Sequence, residues 1–132
     1  MQETTGTFRT SGWEEAAFSS VEGGPRLTRA RVVNAFHGGV EGTGVLEYLM
    51  VYLDRGRGTF FGLEQVTGRL GSREGTFVLR HAGTFEGHTV DATLEVVDGS
   101  GTGELAGLTG RGSFTARRGV EDTPFTLRYQ LG

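Results

Sequence analysis

The sequence predicts an all-β chain that closes into an eight-stranded antiparallel β-barrel. Five times a glycine is followed by Thr or Ser and then Phe, in units that begin at residues 6, 58, 75, 83 and 112. In an extended chain the Gly and the Phe of each unit share a face, so each glycine leaves a gap that an aromatic ring can cover, as in strongly curved sheets. Short connections between apolar stretches favour antiparallel neighbours.

We expect eight strands, each bounded by turn residues. They cover residues 5–13, 26–36, 42–54, 58–69, 75–85, 89–97, 105–117 and 123–131. A meander of eight antiparallel strands closes most simply as a barrel, which also removes exposed strand edges. Two stretches offer a foothold for helix: residues 14–20, which we expect to form a turn, and the run 45–53. Because that run is rich in β-branched and aromatic residues, we interpret it as a buried strand.

Composition limits the chemistry that the chain can perform. Its 132 residues form one domain, residues 1–132, large enough to bury a core without disulfides or metals. The chain has neither Cys nor Lys, which excludes thiol catalysis, thiolate metal sites and lysine Schiff bases. A net charge of −3 argues against a nucleic-acid partner. Three scattered histidines do not have metal-site spacing, and we expect no cofactor.

The apolar run at residues 45–53 bears on membranes and on assembly. It is too short to span a bilayer, and the N-terminus lacks the basic start and apolar stretch of a secretory signal. We therefore expect a cytoplasmic protein with no membrane partner. Both faces of this run are apolar, so we also expect a homo-oligomer, a dimer or a trimer, that covers its outward side chains.

Three residues are candidates for catalysis: Glu64, His81 and Glu47. They lie on adjacent predicted strands, which can place them on one inward face. A buried carboxylate beside an imidazole can share or transfer a proton. Two alternatives stay open at this point. The glutamates lie on the solvent face, or Glu64 and His81 form a purely structural hydrogen bond.

Candidate ligand-binding residues are apolar or aromatic side chains near these positions: Phe60, Phe77, Leu79, Tyr48 and Trp13. Phe60 shares a face with Glu64, and both Phe77 and Leu79 share a face with His81, if the strands alternate regularly. Trp13 would either line a ligand or plug the end of the barrel. The glycine-rich segment 98–107 lacks the strand-to-helix context of a dinucleotide site, so we expect a bulged hairpin or a barrel corner there.

Several short segments together carry a resemblance to a known family. They are Gly23-Gly24-Pro25 with Ala30-Arg31-Val32, Glu41-Gly42, Glu47-Tyr48-Leu49-Met50, Gly62-Leu63-Glu64 with Gly68, residues 75–85 and residues 99–108. The chain resembles a family of small uncharacterised bacterial proteins with the allene oxide cyclase-like barrel fold. That resemblance implies a barrel with an apolar interior. No catalytic motif of the wider superfamily, which includes cyclases and dirigent proteins, maps onto these residues.

The resemblance suggests two functions. The first is a cofactor-free cyclase or isomerase that shapes a small hydrophobic metabolite inside the barrel. The alternative is a non-catalytic, small-molecule-binding or dirigent-like barrel. A third outcome is an interior filled by side chains, because eight strands enclose room for a core or one small ligand.

Overall fold

The structure, a computed structural model, describes residues 1–132, and the chain is folded almost entirely into β-strands. Each strand pairs antiparallel with the next, and β1 also pairs with β8, so the sheet closes into a barrel. The predicted fold class is confirmed. The strands are β1 (Gln2–Ser20), β2 (Arg26–Gly38), β3 (Val40–Asp54), β4 (Arg57–Leu70), β5 (Arg73–Glu86), β6 (Thr89–Val96), β7 (Leu108–Arg117) and β8 (Thr123–Leu131), with one 3-10 turn at Gly103–Leu105.

The first strand is longer than the sequence predicts. The expected turn of helix at residues 14–20 is wrong, because β1 stays paired with β2 up to Ser20, which lies opposite Arg26. Two irregularities, between Thr10 and Gly12 and between Ala17 and Ser19, interrupt the ladder. Pairing with β2 therefore outweighs the local helical tendency of this segment.

The two ends of the barrel differ. At one end the loop between β6 and β7 packs over the interior: Leu105 is fully buried, and the Thr102 N–H donates to the Thr76 carbonyl at 2.9 Å. This loop contains the glycine-rich segment, which therefore closes one end of the barrel. The other end carries the turns that join β1 to β2, β3 to β4, β5 to β6 and β7 to β8. This end is open: a cavity reaches the β5–β6 turn, where Gly87 is one of its lining residues.

Aromatic rings from neighbouring strands cover three of the five glycine gaps, those at Gly6, Gly58 and Gly83. A Cβ added at Gly83 on β5 would lie 2.9 Å from Cζ of Phe60 on β4. A Cβ at Gly58 on β4 would lie 2.3 Å from Cζ of Phe85 on β5. Each ring thus crosses to the adjacent strand and occupies the space that its glycine leaves free, which allows the sheet to curve tightly.

An apolar patch lies on the outer face of β3 and β4. It includes Leu49 and its cross-strand partner Phe61, together with Val45 and Leu63, and all four side chains are exposed. The expected dimer or trimer that buries this patch stays a prediction. Light scattering at micromolar concentration should give a particle of two or three chains, and a 14.2 kDa particle alone would contradict it.

Candidate functional site

A line of five hydrogen-bonded side chains crosses the barrel interior; we call it the polar line. It runs Thr10, Asn34, Glu64, His81, Tyr48. Thr10 Oγ1 donates to Asn34 Oδ1 at 2.7 Å, and Asn34 Nδ2 donates to Glu64 Oε2 at 2.9 Å. His81 Nε2 lies 2.8 Å from Glu64 Oε1, and its Nδ1 lies 3.1 Å from the Tyr48 hydroxyl. The last four residues are buried.

The direction of the hydrogen bonds follows from the donors that are present. An ionised Glu64 accepts from Asn34 on one oxygen and from His81 Nε2–H on the other. Nδ1 of His81 is then free to accept from the hydroxyl of Tyr48. No buried side-chain N or O atom in the protein lacks a partner. Every buried N and O atom of the polar line therefore has at least one partner, which is the condition under which a buried charge is tolerated.

Two glycines provide the space through which the polar line passes. Gly44 on β3 lies opposite Asn34, and a Cβ there would approach Glu64 Oε2 to 2.1 Å. Gly62 on β4 lies opposite both Tyr48 and His81, and a Cβ there would approach Cδ1 of Tyr48 to 2.8 Å. Because β3 and β4 carry no side chain at these points, side chains two strands apart can meet.

The predicted inward position of Glu47 is wrong. Its side chain is 54% exposed, and one carboxylate oxygen lies 3.8 Å from Nη1 of Arg31 on the outer face. Strand β3 instead buries Leu46, Tyr48 and Met50, which have the opposite parity. Since both faces of this strand are apolar, alternation alone could not select the inward one. Of the three predicted catalytic residues, the structure brings only Glu64 and His81 together.

An apolar cavity of about 300 Å³ opens at the end of the barrel with the β5–β6 turn. Three of the predicted ligand-binding residues line it, namely Trp13, Tyr48 and Phe60. Trp13 is half exposed at the mouth and does not plug it. The other two, Phe77 and Leu79, lie deeper, around a void of about 10 Å³ that has room for no more than about one water. The structure therefore places them in the core and outside the cavity.

The polar line meets the cavity at both of its ends. Thr10, Asn34 and Tyr48 line the cavity, whereas Glu64 and His81 border only the deeper void. A molecule in the cavity can therefore reach Glu64 only through Tyr48 or Asn34. Burial, and then the charge of Glu64, raise the pKa of Tyr48 well above its ordinary value, so Tyr48 is a neutral hydroxyl at physiological pH.

A second cluster of polar side chains lies near the mouth of the cavity. Glu15 accepts hydrogen bonds from Trp13 Nε1 at 3.0 Å, from Thr28 Oγ1 at 2.7 Å and from the Tyr52 hydroxyl. The guanidinium of Arg26 lies 4.4 Å from the centre of the Tyr52 ring. Partial burial acts to raise the pKa of Glu15, but these three hydrogen bonds hold it below its ordinary value. This carboxylate is therefore ionised and already engaged.

The contact between Tyr52 and Glu15 should give a measurable pH dependence. Burial first, and the hydrogen bond to Glu15 second, raise the pKa of Tyr52 from 10.0 to about 12. Because the folded pKa is raised, the stabilisation is complete below pH 10 and is lost as the pH rises towards 12. In an absorbance titration at 295 nm, Tyr52→Phe should remove an ionisation near pH 12. Loss of a step near pH 10 would contradict this geometry.

Four residues of these two polar clusters were not predicted from the sequence: Asn34, Thr10, Glu15 and Tyr52. Asn34 was detectable in principle, because it is the amide in an otherwise small or apolar inward row of β2 that also includes Val32 and Phe36. Glu15 was missed because residues 14–20 were expected to form a turn of helix. No group of three or more His, Cys, Asp or Glu side chains is placed to hold a metal ion.

Comparison with known proteins gives a family and a fold. Residues 4–129 match the model of a family described as a protein of unknown function (DUF3224). The chain is also similar to a DUF3224-family protein of unknown function from Shewanella oneidensis MR-1, known from a crystal structure. The two are 29% identical, with a TM-score of 0.81 over 100% of this chain and 98% of the other. No curated protein matches.

None of the helical structure could cross a membrane.

Proposed function

This chain belongs to the DUF3224 family of proteins of unknown function, and we propose that it binds a small, largely apolar molecule in the cavity at the open end of the barrel. The observation that carries the proposal is the cavity itself. Its volume of about 300 Å³ lies at the lower end of the range for ligand pockets, and its wall is apolar apart from a few hydrogen-bonding groups.

The cavity wall is suited to a compact apolar body. The rings of Tyr48 and Phe60 pack edge to face with centroids 4.9 Å apart, and Trp13 lies 6.1 Å from Tyr48. Such aromatic pairs hold one another in place, so little side-chain freedom is lost when a ligand binds. Each square ångström of apolar ligand surface removed from water contributes about 25 cal/mol. Affinity should therefore follow how well the ligand fills this space.

Filling the cavity should weaken ligand binding. Ala116 lines the cavity and is not part of the polar line, so Ala116→Phe should place a ring in the ligand space. We expect at least about a ten-fold loss of affinity for the neutral fluorophore N-phenyl-1-naphthylamine, measured by its emission increase, because the ligand and the new ring compete for one volume.

Ala82→Phe is the matched control for this variant. Ala82 is exposed and lies opposite Phe61 on the outer face, so the same ring is added outside the cavity. The control should bind the fluorophore like the wild type. No binding by the wild type, or equal binding by the two variants, would contradict the proposed function.

A second candidate function is that of a cofactor-free isomerase or cyclase, as the resemblance to the allene oxide cyclase-like barrel suggests. The hydrogen bonds of Tyr48 to His81 and of His81 to Glu64 favour it. A proton leaving the ligand would bond to the Tyr48 oxygen while the Tyr48 proton passes to His81 Nδ1 and the Nε2 proton passes to Glu64. The reverse sequence would return a proton to another atom of the ligand. Glu64 then holds the proton without touching the ligand.

A further inference from the structure

The polar line leaves a specific set of hydrogen-bonding positions unused at the cavity wall. When the His81 ring carries its proton on Nε2 alone, Tyr48 donates its hydroxyl proton to Nδ1, and Thr10 donates its own to Asn34. What these two residues still offer is an oxygen lone pair each. Asn34 uses one of its two amide protons on Glu64, so its second N–H is still a donor. The polar line thus offers two acceptors and one donor to the cavity, and the hydroxyls of Tyr52 and Thr123 lie elsewhere on its wall.

From this set we propose that the ligand is a neutral alcohol, with its hydroxyl at the polar line and its apolar body filling the cavity. The inference rests on the proposed function and names the class of ligand. A hydroxyl donates one hydrogen bond, to Tyr48 or Thr10, and accepts another from Asn34. It is the simplest group that meets both kinds of position.

Other functional groups fit the same wall less well. An ether can accept from Asn34 but leaves the oxygens of Tyr48 and Thr10 without a donor. A carboxylate has no proton to donate, and it would approach the carboxylate of Glu64 behind the wall and that of Glu15 near the mouth. An ammonium group has three donors, leaves the N–H of Asn34 unpaired and loses its hydration in an apolar cavity.

Four compounds that share the same adamantane body and differ only in their polar substituent allow these functional groups to be compared. They are 1-adamantanol, 1-methoxyadamantane, adamantane-1-carboxylate and 1-adamantanamine, each measured by displacement of N-phenyl-1-naphthylamine from the wild-type protein. We expect the alcohol to bind most tightly. The ether should bind about ten-fold more weakly, the equivalent of one net hydrogen bond. The two charged compounds should bind more weakly than the ether.

Two variants test whether the preference for the alcohol over the ether depends on the polar line. Thr10→Val and Tyr48→Phe each remove one acceptor oxygen, so each should reduce the ratio of alcohol to ether affinity. Thr10 is exposed at the edge of the cavity, so Thr10→Val should fold even if Tyr48→Phe does not. Tyr129→Phe is the control, because the Tyr129 hydroxyl bonds Gln2 and does not line the cavity, and it should leave that ratio unchanged.

The outcomes distinguish the inference from the proposed function. Equal affinity for the alcohol and the ether, or tightest binding of either charged compound, would overturn the alcohol class and leave cavity binding intact. Failure of all four compounds to displace a fluorophore that does bind would also overturn it. Failure of the fluorophore itself to bind would instead remove the proposed function.

Discussion

Replacing Phe77 with alanine should lower the free energy of unfolding by about 3–5 kcal/mol. Phe77 is 2% exposed and borders the small void beside Glu64 and His81. The closed ladder of strands holds the walls apart, so the space of the lost ring cannot collapse. Urea denaturation measures the difference directly.

Phe61 provides the matched control for this prediction. It lies on β4, on the outer face, and is 58% exposed, so Phe61→Ala should change the unfolding free energy by no more than about 0.5 kcal/mol. If Phe77→Ala costs less than about 1 kcal/mol, the inward and outward faces of β5 are assigned the wrong way round.

Removing the carboxylate at the centre of the polar line should lower the free energy of unfolding about as much as Phe77→Ala does. Glu64→Ala leaves the N–H groups of Asn34 and His81 without acceptors in the interior, at a cost of about 1–3 kcal/mol each. A total loss on the order of 3–5 kcal/mol is expected. Glu47→Ala removes an equally charged side chain from the outer face and should cost less than about 1 kcal/mol.

The variant Glu64→Gln separates shape from proton transfer. The amide fills the same space, and Asn34 and Thr10 can turn to restore the hydrogen bonds, so the protein should stay folded and still bind the fluorophore. An amide does not take up a proton at neutral pH. Any exchange of the α protons of 4-tert-butylcyclohexanone in D₂O that the wild type accelerates should therefore be lost. Unchanged exchange in Glu64→Gln would exclude the proton path through Glu64.

The pairing of Glu64 with His81 could be predicted because it depends on neighbouring strands. A short turn joins β4 to β5, and Phe60 and Phe77 mark the inward parity of each strand. The structure agrees: Glu64 and His81 are both buried and lie 2.8 Å apart. Local alternation was sufficient here because each strand has one clearly apolar face.

The positions of Glu47 and Asn34 could not be predicted from the alternation of single strands. Strand β3 is apolar on both faces, so its inward parity depends on the whole barrel and not on its own sequence. Asn34 on β2 reaches Glu64 on β4 across a third strand, at the point where Gly44 leaves a gap. Such a contact depends on two ladder registers together, and no single hairpin reveals it. Phe85 has the same parity as Phe77 on β5, which predicts a core position, but it is half buried and lines the cavity.

The most direct test of cavity binding is a crystal structure with 3-bromo-1-adamantanol, in which anomalous scattering locates the bromine without bias. We predict one principal bromine peak inside the cavity lined by Trp13 and Phe60, with the ligand hydroxyl within hydrogen-bonding distance of Tyr48 or Thr10. Bromine peaks found only on the outer patch of Leu49 and Phe61, with the cavity empty of ligand, would contradict the proposal that this barrel binds its ligand inside.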